Sequence, residues 1–130
     1  MLLRDAFDGL PVVYVSTLPQ AGEASGLADY RTVPDANRNS GLGILRLGWA
    51  VIRLFLAVNP SAVVSTGALP GLMMIICARL AGRRTVWIES IANAEKISMC
   101  GSLARYVSHT CLVQWPEQDG PRTRYAGAVL

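Results

Sequence analysis

Residues 61–90 read SAVVSTGALPGLMMIICARLAGRRTVWIES, and this stretch limits the possible folds more than any other in the chain. It is an apolar β-branched run, a turn containing Gly67, a helix-length apolar segment, a stop at Gly82, and a second β-branched run. Strands separated by a helix cannot pair as a hairpin. They need a crossover connection, which is right-handed and leaves them parallel. Both runs are apolar throughout rather than alternating, as expected of parallel strands covered on two faces. Pro70 suits a first helical turn, where its missing N–H would be unpaired anyway, and a glycine such as Gly82 commonly ends a helix.

The remaining sequence extends the same alternation. PVVYVST (Pro11 to Thr17) is a predicted strand, and Tyr30 to Val33 a brief edge strand ended by Pro34. SLARYVS predicts a short amphipathic helix, TCLVQW a strand ended by Pro116, and RYAGAVL the start of one more. The expected fold class is α/β, a Rossmann-like parallel sheet with flanking helices, in a single domain spanning 1–130. The 130 residues suffice for one core and are too few for two ordinary ones.

From Gly43 to Val58, GILRLGWAVIRLFLAV has a helical pattern with one narrow polar stripe, in which Arg46 and Arg53 lie two turns apart. The other directions are apolar, and the run is short of a full membrane span. Two readings stay open. The helix is sandwiched in a core, or it lies in a membrane interface through Trp49 and Phe55 with Arg46 and Arg53 reaching headgroups. Composition favours some contact of this kind, since 52% of residues are hydrophobic and only 16% charged. A net charge of +3, spread over scattered arginines, suits an anionic membrane surface and lacks the clustering of a nucleic-acid groove. Cys77, Cys100 and Cys111 match no metal spacing, and His109 stands alone, so no metal or cofactor is expected.

Ligands bind parallel sheets at the carboxyl ends of the strands. Three predicted strands end there in polar or small residues, which would gather Ser65, Thr66, Glu89, Ser90, Asn93 and Gln114 on one rim. Gly67 and Gly71 flank a helix N-terminus able to receive an anion, although STGALPG matches neither a Walker nor a dinucleotide fingerprint. Glu89 follows three apolar residues, so its carboxylate is either a base, a hydroxyl-binding group or an arginine's structural partner. Glu95 and Lys96 read as solvated.

Taken in order, VVSTGALPG, RTVWIESIANAEKISMCGSLAR, CLVQWPE and RYAGAVL, with VVYVST and VPDANR before them, carry a resemblance. The chain resembles the membrane-associated subunit of the two-part UDP-N-acetylglucosamine transferase of dolichol-linked oligosaccharide assembly, and more closely its bacterial exopolysaccharide counterparts. The resemblance implies the amino-terminal, acceptor-side half of a GT-B glycosyltransferase at the cytoplasmic face of a membrane. A carboxyl-terminal half on a separate chain would hold most of the UDP-sugar. Together they would pass a sugar, with inversion, to a polyprenyl-pyrophosphate-linked acceptor. Ser65, Thr66, Gly67, Gly71, Ser90, Asn93 and Gln114 would then bind acceptor or diphosphate, with Glu89 as the candidate catalytic group. The family's first strand and the glycine-rich, histidine-bearing loop after it have no counterpart ahead of PVVYVST, so that strand is expected to be missing and the chain alone inactive. The second reading is a non-catalytic membrane scaffold or degenerate remnant that only recruits a partner.

Overall fold

A computed structural model describes residues 4–20, 22, 26, 29–36 and 39–128. The elements in chain order are β1 (Tyr14–Ser16), β2 (Tyr30–Thr32), α1 (Gly41–Val58), β3 (Ala62–Ser65), α2 (Ala68–Leu80), β4 (Arg84–Ile88), α3 (Met99–Val107), β5 (Thr110–Val113) and β6 (Arg124–Tyr125). Two 3-10 turns, Arg4–Phe7 and Pro116–Gln118, complete them. Asn37 and Arg38 of VPDANR, and Val129 and Leu130 of RYAGAVL, lie outside the described residues.

All the strand pairs are parallel, as the alternation of strands and helices requires. They form two sheets, β1–β2 and β3–β4–β5–β6. Among the described residues β1 and β3 do not pair with each other, and each has a strand partner on one side; Val15 and Val64 are exposed.

Helix α1 begins at Ser40, whose Oγ accepts from Gly43 N, and ends at Asn59 in the left-handed region, where the Asn59 N–H donates to Phe55 O. Its inner stripe is Leu47, Val51 and Phe55, all buried. Leu47 and Val51 pack with Val33, beside Leu54, Leu69 and Met73. Phe55, expected to face a membrane, is therefore a core residue: one turn beyond Val51, it falls on the inward stripe. Trp49, Arg46 and Arg53 stay exposed on the outer side.

A second core forms where α2 and α3 cover β4 and β5, from Leu72, Ile75, Trp87, Ala104 and Cys111. Gly71 is required there for space. A Cβ at that position would overlap Ser65 Oγ, so the first turn of α2 can sit on the end of β3 only as glycine. At the opposite end of the sheet His109 precedes β5. Its Nδ1 accepts from the Thr85 N–H at 3.2 Å, and Arg79 approaches its Nε2 at 2.7 Å. These contacts keep the histidine away from the rim.

A cleft between two helix N-termini

Glu89 follows directly after β4 and is 1% exposed. Oε2 accepts from Trp87 Nε1 and from Ser98 Oγ, each at 3.1 Å. Oε1 accepts from Asn93 Nδ2 at 2.6 Å and from the Ser90 N–H at 3.3 Å. Ser98 in turn caps α3, its Oγ accepting from Gly101 N at 2.9 Å. Gly101 is fixed by this arrangement, because a Cβ there would overlap Glu89 Oε2. The carboxylate thus ties the end of β4, the 90–98 loop and the start of α3 together. With four donors on two oxygens and almost no exposed surface, it has little room to accept a substrate proton.

The same loop is held from the other side. Trp115 Nε1 donates to Ile91 O, and Gln118 Nε2 to Asn93 O. Gln114, expected on the rim, follows directly after β5 and is buried. Glu95 and Lys96 are exposed, as expected.

At the carboxyl ends of the strands lies a cleft of about 390 Å³. One wall is the start of α2 (Ala68, Leu69, Pro70), the other the start of α3 (Ser98, Met99, Cys100) with Asn93. Thr17 and Asp35, from the segments after β1 and β2, close it. Both helices therefore aim their N-termini at one space. The α2 terminus has no side-chain cap: Gly67, at φ 126°, ψ −174°, takes a backbone shape open to glycine, and Ala68 follows at φ 65°. Uncapped N–H groups at a positive helix end favour an anion.

Of the residues expected on this rim, Asn93 lines the cleft, and Ser65 and Gly71 sit immediately behind it. Gly67 shapes the turn, its N–H 3.4 Å from Ser65 Oγ, and Thr66 is exposed beside it. Ser90 serves the loop, its Oγ accepting from Ala92 N. Thr17, Asp35 and Ser98 were not singled out by sequence. Ser98 alone left a signal, a serine three residues ahead of Gly101 at a helix start.

Two of the three thiols, Cys77 and Cys111, are poor nucleophiles. Burial, and then the charge of Glu89, push Cys111 up to about 11, and burial raises Cys77. Among the described residues no group of three or more His, Cys, Asp or Glu side chains could hold a metal ion.

A sequence model described as "Oligosaccharide biosynthesis protein Alg14 like" matches residues 31–129, a span that includes both helix N-termini and the Glu89 loop. The chain belongs to the Alg14-like family. A mouse relative, "UDP-N-acetylglucosamine transferase subunit ALG14", is 32% identical over 92 residues, covering 63% of this chain and 42% of its own length. This Alg14-like chain thus spans less than half of that relative. Among solved structures, Acinetobacter baumannii MurG superposes with a TM-score of 0.74 at 13% identity, over 97% of this chain and 38% of the other. That likeness establishes the fold, Rossmann-like α/β of the GT-B kind.

Proposed function

We propose that this chain is the acceptor-side subunit of a two-chain glycosyltransferase that acts on lipid-linked saccharides, in oligosaccharide or exopolysaccharide synthesis. The observation that carries the reading is the convergence of the α2 and α3 N-termini on one cleft at the strand ends. Such a cleft suits the diphosphate of a polyprenyl-pyrophosphate-linked sugar. A partner chain folded as a carboxyl-terminal GT-B half would bring the UDP-sugar to it. Among the described residues Asp35 is the one carboxylate of the cleft wall, so it is better placed than Glu89 to take a proton from the acceptor hydroxyl. Glu89 positions the loop instead.

Ala68→Asp tests the diphosphate site. Aspartate tolerates the left-handed backbone at this position, so the fold should persist while a negative charge occupies the anion's place. With the partner half co-expressed, the KM for a polyprenyl-pyrophosphate acceptor should rise at least about tenfold, equivalent to roughly 1.4 kcal/mol, with an unchanged melting midpoint. An unchanged KM would remove the cleft from acceptor binding.

Helix α1 supports a place for the chain at the membrane. By length and composition this helix could cross a bilayer, yet its inner stripe is committed to the core. Its outer stripe, Leu42, Leu45, Trp49, Ile52 and Leu56, recurs at alternating spacings of three and four residues, and Leu45 and Leu56 are 71% and 70% exposed. Arg46 and Arg53 border the stripe. A helix lying in the interface of an anionic cytoplasmic leaflet uses such a pattern, with apolar side chains buried and arginines at the phosphates. Leu45→Glu with Trp49→Glu should move the folded protein from the membrane to the soluble fraction. Retention of the folded double variant on membranes would refute the interface role of α1.

A further inference from the structure

A second cleft, of about 350 Å³, lies between α3 and the loop that joins β5 to β6. Its wall is organised around the ring of Tyr106. The guanidinium carbon of Arg105 lies 5.0 Å from the ring centroid and that of Arg122 4.7 Å. The two positive charges are therefore within about a Debye length of each other, roughly 10 Å. Neither is in an ion pair: among the described residues the one ion pair is Arg31 with Asp29, elsewhere on the surface.

The polar atoms of this wall are also incomplete. Arg105 Nε is buried with no hydrogen-bond partner, and so is Oε1 of Gln118, whose Nε2 is spent on Asn93 O. Folded proteins rarely leave such atoms unpaired unless something else satisfies them. The carboxylate on the wall, Asp119, accepts from Tyr125 N at 3.0 Å. What remains on the wall is a surplus of positive charge and an aromatic face.

We propose that this cleft binds a phosphate-bearing ligand, a phosphate monoester or a diphosphate. Its oxygens take the guanidinium ends of Arg105 and Arg122. Arginine matches phosphate geometry through paired N–H donors, and Tyr106 holds both guanidinium groups against one ring on the cleft wall. The volume fits a small ligand. Asn93 joins the two clefts, because it lines the first and its carbonyl holds Gln118 of the second. The proposal stands apart from the transferase reading, since it rests on the charge and ring geometry of this cleft alone.

Soluble phosphate compounds and lipid headgroups share this chemistry, and binding measurements separate them. The full chain carrying Ala68→Asp, which places a carboxylate at the first cleft, would be titrated with inorganic pyrophosphate, and separately with phosphatidylcholine vesicles containing phosphatidic acid. Arg122→Gln, at an exposed position that leaves the core intact, and Arg105→Gln should each weaken binding at least tenfold, while Arg31→Gln should not. Saturable binding of pyrophosphate with this pattern assigns a soluble ligand. The same pattern on vesicles alone assigns a lipid phosphate. No saturable binding to either probe, or binding that both cleft variants leave unchanged, would overturn the proposal.

Discussion

Glu89→Ala is expected to lower the melting midpoint by about 10 °C or more, which makes it a severe stability variant before it is anything else. The reason lies in its partners. Removing the carboxylate strands Trp87 Nε1, inside a fully buried side chain, and Ser98 Oγ, which caps α3. Each orphaned donor costs about 1 to 3 kcal/mol, so these two alone give roughly 2 to 6 kcal/mol. That is a large part of the roughly 5 to 15 kcal/mol that holds a domain together. Asn93 and Ser90, like Ser98, are only part-buried, so Trp87 Nε1 carries the larger share of this cost. Gly101→Ala supplies the cross-check. In the wild type its new Cβ meets Glu89 Oε2 and, at 2.7 Å, Ile97 Cγ2, so it should destabilise strongly, whereas in the Glu89→Ala background only the Ile97 contact is left. A double-mutant cycle should therefore show a coupling of about 1 kcal/mol or more. Additive effects, or a Glu89→Ala protein that melts with the wild type while losing turnover, would restore the carboxylate to the role of base.

The strand ends and their turns were legible because each depends on neighbours in sequence. A β-branched run followed by Ser65-Thr66-Gly67 states where a strand stops, and Gly67 and Gly71 mark a close helix start. The role of Glu89 was not legible, because its partners sit two residues before it and as far as nine after it, on a loop whose path is set by Trp115 and Gln118 from another part of the chain. The error at Phe55 has a different source. Helix α1 is apolar on two faces, so periodicity could not say which stripe packs inward; Val33 and Leu69 decide that, and both come from other elements. The Tyr106 cleft left no sequence signal at all, since Arg105 and Arg122 meet on one ring only through the path of the loop between β5 and β6.

The second large effect concerns the open edges of β1 and β3. In the doubly wound order the first strand lies between the strand that follows it and the strand that begins the second half. In this chain those neighbours would be β1, which among the described residues pairs with β2 alone, and β3, which pairs with β4 alone. Each presents a row of unpaired N–H and C=O groups next to a half-exposed valine, a template for pairing with another chain. A version extended ahead of β1 by a segment containing an apolar strand should fill both edges at once. Ordering that strand costs about 1 to 2 kcal/mol of backbone entropy for each residue. Against this stand ladders on two sides, at about 1 kcal/mol for each bond, and burial of apolar side chains at about 1.5 to 3 kcal/mol each. A net gain of only about 2 kcal/mol would raise the midpoint by roughly 5 to 10 °C. Light scattering during heating should fall in parallel, because the edges that recruit other chains are then paired. Equal midpoints and equal scattering for the two forms would show that β1 and β3 do not flank a strand site, and that their separation belongs to the folded state.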